Sequence, residues 1–213
     1  MKPLKTELQD AETLRDLGSA SVQIVHDLKN QLNGLKLYAT FLRKRMEKAE
    51  RPADEQETVA KLISGLERAA ADMTVLVRFG RPLELRRQPG TDLARLVADS
   101  ADGAPFETDG GAYEGDFDPT LLAEALKNIT AGARGEGGTE GGGGTPRVRL
   151  SGEGSGAVVE WLGAAVSDGD DPFRSLAGAT GLRMALAARI VRAHGGEVSH
   201  EGGRIRALLP LLK

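Results

Sequence analysis

The residues best equipped for chemistry sit together between positions 26 and 30: His26, Asp27, Lys29 and Asn30, inside an apolar-periodic segment. A solvated imidazole with a pKa of about 6.5 is largely neutral at pH 7 and keeps one ring nitrogen free as a nucleophile. Asp27 sets a carboxylate next to it in sequence, and Asn30 an amide one turn further on. On a helical wheel at about 100° per residue, with Ile24 at zero, His26 falls at about 200° and Asn30 at about 240°. Lys29 and Asn33 share that arc, while Val25, Leu28, Leu32 and Leu35 take the opposite one. The spacing predicts an exposed imidazole on a rigid helix. The plain alternative is a surface histidine with no chemical task.

The elements that must hold this imidazole follow from periodicity. Leu4 to about Lys48 reads as one helix, with apolar residues at 3-4 spacing at Leu14, Leu17, Ile24, Leu28, Leu35, Tyr38 and Leu42, interrupted by Ser21 and Gln31. A turn around Pro52 follows, then a second heptad run at Val59, Leu62, Leu66, Ala69, Met73 and Leu76, ended by Gly80 and Pro82. Two such helices leave each seam half exposed, so the expectation is a homodimer through residues 1–80 that completes a four-helix bundle. Beyond Gln88 short helices and apolar runs alternate irregularly. Thr91–Ser100 is expected as a helix capped by Thr91, and Pro119–Ala133 as one capped by Asp118 with Pro119 at its first position. Strands are expected at Arg147–Leu150, Ala157–Trp161 and Ile205–Leu211, and a helix at Gly178–His194 that stops at Gly195-Gly196. The fold class is α+β: a helical hairpin over 1–82, then an α/β sandwich over 83–213.

Composition narrows the classes. The chain has 213 residues, with Lys plus Arg 28, Asp plus Glu 31, a net charge of -3 and no cysteine. There is no basic field for nucleic acid, no disulfide and no thiolate metal site. No run of about 18 apolar residues and no signal segment appear, so a cytoplasmic chain without a membrane partner is expected. Glycine, 28 residues, is the one strong excess. The stretch Gly135–Thr145 holds seven of them and reads as a flexible loop. His194 and His200 are read as structural, the former as a cation suited to a helix C-terminus.

The segment Val25-His26-Asp27-Leu28-Lys29-Asn30-Gln31-Leu32 resembles the phosphoacceptor box of bacterial two-component histidine kinases, in their dimerisation and histidine-phosphotransfer domain. The resemblance implies that His26 is phosphorylated, that Asp27 aids its attack and that Asn30 orients water. Gln31 replaces the family's usual Pro, which removes the expected kink. The resemblance runs on through Phe117-Asp118-Pro119 to Ile129, similar to the N-box helix of the family's ATP-binding domain. It continues in Pro172-Phe173, similar to the F box, and in Gly178-Ala179-Thr180-Gly181-Leu182 to Val198, similar to the G2 box. The implied fold of that domain is a Bergerat-type sandwich, with a mixed sheet and helices on one face.

The departures fall on the chemistry of the nucleotide. In register with Asn128, the family's metal-binding asparagine falls on Gly132, which has no side-chain ligand. The strand ending Val159-Glu160-Trp161-Leu162 meets Gly163-Ala164-Ala165 where the family has an aspartate and spaced glycines, with Asp168 as a displaced candidate. Near Gly181, Arg183 stands where the family has glycine. The lid is reduced to residues 174–176. The resemblance therefore implies a kinase-derived histidine phosphotransferase, relaying a phosphoryl group on His26 between receiver domains of response regulators. No cofactor or metal is expected on this chain, and magnesium is expected on the partner receiver. Lys29 is a candidate phosphoryl contact, and Asn33, Lys36 and Leu37 candidate docking residues. The alternatives are an active, divergent histidine kinase and a non-catalytic pseudokinase adaptor. With about 20 residues before His26, input signals are expected to arrive through a partner.

Overall fold

Apolar residues at 3-4 spacing and a scarcity of glycine make the first part of the chain helical. The computed structural model describes residue 25 and residues 28–47, 53–135, 145–166, 171–175 and 178–212. They divide into two compact units, Met1–Pro82 and Leu83–Lys213. In the first, helix α1 covers 28–47 and α2 covers Ala53–Gly80, with Asp54 and Glu55 in its first turn and Arg78 in its last, each on the side that suits the helix dipole. The expected seam positions Leu14, Leu17 and Ile24 lie outside the described residues.

The stripe that α1 buries is not the expected seam. Lys29, Leu32, Lys36, Ala39, Arg43 and Met46 are buried or half-buried, with Ala39 at 3% exposure. Leu35 at 54% and Tyr38 at 67% stay in solvent, as do Leu28 and Leu42. On α2 the covered stripe is Val59, Ile63, Leu66, Ala70, Met73 and Val77, while Leu62 and Leu76 point outward. Lys36 Nζ lies 2.7 Å from Glu67, joining the two helices. The wheel misplaced Lys29, which is half-buried in this stripe with Lys36 and Arg43, so a basic residue need not mark the outer face.

The second unit is α+β. It contains β1 (Gln88–Asp92), α3 (Leu93–Ser100), β2 (Phe106–Thr108), β3 (Glu114–Phe117), α4 (Pro119–Arg134), β4 (Arg147–Glu153), β5 (Gly156–Leu162), α5 (Gly178–Ala193), β6 (Glu197–Glu201) and β7 (Arg204–Pro210). The main sheet is mixed, in the order β2-β4-β5-β7-β6, and β1 pairs with β3 apart from it. Only β2 and β4 run parallel; the other neighbours are antiparallel. Alternation sorts the two faces. Val148 and Leu150, Val159 and Trp161, and Ile205, Ala207 and Leu209 are buried. They form the core with Leu122, Leu126 and Ile129 of α4 and Leu186 and Ile190 of α5. The Trp161 indole N–H donates to Thr130 Oγ1 at 2.9 Å, whose hydroxyl donates in turn to the Leu126 carbonyl, so this deep polar pair under the sheet is satisfied.

The opposite face carries a cross-strand row of alternating charge, Glu107, Arg149, Glu160 and Arg206, set by the register. Ion pairs at 3.4–3.6 Å link its neighbours Arg149 to Glu107 and Arg206 to Glu160. Opposite charges across strands stabilise the pairing and keep this face wet.

Two helix starts contrast. Asp118 caps α4 as expected, its carboxylate accepting from the Thr120 and Leu121 N–H groups at 3.0 and 2.9 Å, with Pro119 following. Thr91 does not cap α3. Its hydroxyl donates to the Gln88 carbonyl at 2.6 Å within β1, and Asp92 is the cap, accepting from the Arg95 N–H at 3.1 Å. The helix α5 ends at Gly195, whose φ of 80° only glycine adopts cheaply. A side chain on Gly196 would meet the Leu208 carbonyl at 2.4 Å, so the turn lies tight on β7.

His194 is structural but not a cation. It is buried, its Nδ1–H donates to the Ile190 carbonyl at 2.8 Å, and its Nε2 accepts from the Asp118 N–H at 3.0 Å. Both bonds require the neutral ring. Burial pushes its pKa below the usual 6.5, and the Arg87 charge adds to that against the Ile190 hydrogen bond and the nearby carboxylates. The unfolded chain thus takes up a proton that the folded chain resists. The neutral ring's contribution is complete above pH 6.5 and declines as pH falls beneath it. Denaturant unfolding followed by fluorescence of Trp161, the only tryptophan, is expected to show stability falling below pH 6.5 with a slope of up to about 1.4 kcal/mol per pH unit. His194→Gln should be less stable at pH 7.5 and flatter between pH 6.5 and 5; an unchanged slope would remove the imidazole from this role.

Candidate functional site

Two sets of residues were expected to act, one in each unit. His26 and Asp27 lie outside the described residues, as does Asp168. Asn30 and Asn33 are exposed, and Leu37 is 54% exposed on the same arc. Lys29 is not on that arc: it is half-buried in the stripe facing α2. Lys36 shares this stripe and spends its charge on Glu67. The exposed arc therefore consists of Asn30, Asn33 and Leu37, and it continues to Phe41, 58% exposed one turn on from Leu37. Phe41 escaped sequence analysis although its spacing from Leu37 is the helical i, i+4 that signals a shared face.

In the second unit α4 carries Asn128 and Gly132 and α5 carries Gly181 and Arg183, and the two helices meet where Gly132 faces Met184. Asn128 and Arg183 are half-buried. Gly132 is buried, and a Cβ built on it would lie 2.3 Å from Met184 Sδ and 2.8 Å from its Cγ. Met184 is 2% exposed, so the volume in front of Gly132 is filled by a packed side chain from α5. Gly181 is half-exposed, and its Cβ would meet the Ser175 carbonyl oxygen at 3.0 Å, a looser approach than at Gly132. After β5 the chain turns at Gly163, with φ of 76°. Ala164 N–H donates to the Gly203 carbonyl and Ala165 N–H to the Ala133 carbonyl, both at 2.7 Å. The backbone after β5 is thus tied down on one side to the turn between β6 and β7 and on the other to the last turn of α4.

Two cavities of about 400 Å³ lie elsewhere, on the charged side of the sheet. One is bounded by Ser199, His200, Glu201, Arg204 and Arg206, the other by Glu107, Asp109, Arg149, Ser151 and Glu160. None of Asn128, Gly132, Gly181 or Arg183 lines either. Among the described residues no three His, Asp or Glu side chains group to hold a metal, and no helix is long and apolar enough to cross a membrane.

No protein-family model matches the chain, and no curated protein matches it. Solved structures do. Histidine kinase ThkA in complex with the response regulator TrrA is 16% identical with a TM-score of 0.63, over 98% of this chain and 66% of that one. Full-length ShkA in complex with AMPPNP is 18% identical with a TM-score of 0.61, over 90% of this chain and 45% of that one. The Acinetobacter baumannii histidine kinase AdeS is 15% identical with a TM-score of 0.53, over 84% of this chain and 96% of that one. The chain spans about half the length of ShkA and two thirds of ThkA. At these identities the likeness is one of fold: this chain has the fold of a histidine kinase core.

A side chain introduced at Gly132 tests the packing there. Gly132→Asn must displace Met184 and is expected to destabilise the second unit by about 1–3 kcal/mol, as overpacking does. Met184→Ala should relieve part of that loss, measured as a coupling energy in a double-mutant cycle of denaturant midpoints. Additive effects would mean that the two side chains do not compete for one volume.

Proposed function

We propose that this chain is a histidine phosphotransfer protein of a two-component phosphorelay, carrying a phosphoryl group on His26 between receiver domains without binding ATP. The observation that carries the reading is the filled space at Gly132. A magnesium nucleotide needs a ligand side chain and open backbone there, and the position offers a packed thioether instead. The carbonyl of Ser175 against Gly181 and the two backbone tethers at Ala164 and Ala165 point the same way. These residues do not fit a metal-bound triphosphate.

The transfer needs little from this chain beyond placement of one nitrogen. The lone pair of an imidazole nitrogen of His26 forms the N–P bond as the P–O bond to a receiver's aspartyl carboxylate breaks, and that carboxylate leaves with the electron pair; the return step reverses both. Asp27 handles the proton of the other ring nitrogen. Magnesium on the receiver would neutralise the charge of the transferring group. The exposed arc of Asn30, Asn33 and Leu37 supplies docking area beside His26. ThkA's complex with a response regulator makes a receiver domain the natural partner class for this fold. The uncovered residues Leu28, Leu35, Tyr38 and Leu42 support a second copy as the cover for the hairpin, giving a four-helix bundle.

Incubation with a phosphorylated receiver should place acid-labile phosphate on the chain, and His26→Ala should abolish it while leaving the oligomeric state unchanged. Incubation with ATP and magnesium should label nothing. Labelling by ATP would establish a kinase instead, and unchanged signalling by His26→Ala an adaptor. For the dimer, Leu35→Asp combined with Leu42→Asp is expected to shift the chain from dimer to monomer in sedimentation; a monomeric parent chain would overturn that part.

A further inference from the structure

The main sheet ends on one side at β6, and the turn into β7 fixes which backbone groups that edge leaves open. Glu201 and Arg204 close a two-residue hairpin on Gly202 and Gly203, whose φ angles are 54° and 71°. In a hairpin of this length the closing pair is hydrogen-bonded, so the β6 residues bonded to β7 are Glu201, Ser199 and Glu197. The N–H and C=O groups of Val198 and His200 point away from β7, and no other backbone group among the described residues bonds them. Side chains follow the same alternation. Glu197, Ser199 and Glu201 are exposed on the charged face of the sheet, while Val198 and His200 are half-buried on the helix side, across from Ala207 and Ile205.

The two carboxylates of this strand are unpaired among the described residues, although cations stand beside them. Arg204 lies directly across from Glu201, yet its Nη1 is 3.6 Å from Glu160 on β5. Arg206, across from Ser199, turns the same way, to Glu160 at 3.4 Å and to Glu153 at 2.6 Å. The cavity bounded by Ser199, Glu201, Arg204 and Arg206 adjoins them. Charge on a sheet edge guards it against pairing with like strands. Two free carboxylates on either side of a small hydroxyl also define the strand that fits.

We propose that the open edge of β6 binds an extended peptide segment of a partner protein, added antiparallel as a further strand, with basic residues opposite Glu197 and Glu201 and a small residue opposite Ser199. Antiparallel addition satisfies the outward N–H and C=O groups of Val198 and His200. It places Glu197, Ser199 and Glu201 at the non-hydrogen-bonded sites, where facing side chains approach most closely, so basic side chains there meet the carboxylates. A second copy of this chain fits poorly, because β6 paired with itself about Ser199 sets Glu197 opposite Glu201 at both ends. The proposal goes beyond the phosphorelay reading and does not rest on it.

The probe is the peptide Thr-Lys-Val-Thr-Val-Lys-Thr, titrated into the full chain and followed by NMR. Amide exchange at Val198 and His200 is expected to be fast in the free chain and at least about tenfold slower at saturation, while Ser199, already bonded to β7, changes little. Glu197→Lys combined with Glu201→Lys should weaken this peptide at least about fivefold. A second peptide with glutamate at both lysine positions should bind that variant and not the parent. Both substitutions fall on exposed positions, so Trp161 fluorescence should stay native; should the variant misfold, the two peptides against the parent chain decide alone. Three results would each overturn the proposal: no protection of Val198 by the lysine peptide, equal binding of both peptides to the parent, or protection of Val198 that rises with the concentration of the chain alone and so marks a second copy on the edge.

Discussion

The close approach of α4 and α5 at Gly132 is the constraint on which the rest of the second unit depends. A glycine on α4 lets Met184 of α5 enter the space where a side chain would stand, and the thioether is flexible enough to fill an irregular gap. Neighbouring backbone groups are satisfied internally. Ala165 N–H bonding the Ala133 carbonyl at the end of α4 is such a solution, and so is Ala164 N–H bonding the Gly203 carbonyl. At Gly132 and Met184 the helix contact is buried core, while Asn128, Gly181 and Arg183 stay half-exposed around it.

The other organising point is the buried pair of His194 and Asp118. A single neutral imidazole connects the C-terminal end of α5 to the first residue of α4's cap. Burial alone pushes the Asp118 carboxyl upward. The N–H groups of Leu121, Arg86 and Thr120, followed by the proximity of His194, outweigh that and hold its pKa below the usual 3.8. The ionised carboxylate is therefore stabilising above about pH 3.8, and that contribution is lost only in strong acid, well below the range where His194 acts. Neutral ring and charged carboxylate coexist because each is paid in hydrogen bonds suited to its state.

Much of this fold was legible where local chemistry is self-sufficient. Asp118-Pro119 announces a helix start because cap and φ restriction act within three residues, and the runs at Val148, Val159 and Ala207 announce strands because alternating burial needs no distant information. β1, β2, β3 and β6 were not legible. They are short, and Pro89, Gly90 and Gly115 interrupt their pattern, so pairing with distant partners decides them. Thr91 and Asp92 are both good caps; that Thr91 is consumed in the ladder beside Phe117 is a tertiary fact. On α1 the outward placement of Leu35 and Tyr38 and the inward one of Lys29 invert the simple rule for hydrophobic residues, since an unpartnered apolar seam and a snorkelling lysine look alike in one dimension. Gly132 could be flagged as lacking a ligand, but that Met184 fills its space joins residues on two different helices and has no local signal.

Filling a cradle has an energetic logic of its own. A unit that binds a ligand at a hundred times its dissociation constant gains about 2.7 kcal/mol of stability from the ligand, and the open, polar site it keeps for that purpose is a weak point when empty. Burying a side chain of methionine size contributes about 1.5–3 kcal/mol without any ligand. The two are of one magnitude, so on the proposed reading a chain that no longer gains from the nucleotide recovers a comparable amount by packing Met184 against Gly132. The stabilising contact is then internal to the chain, a methionine of α5 packed on a glycine of α4.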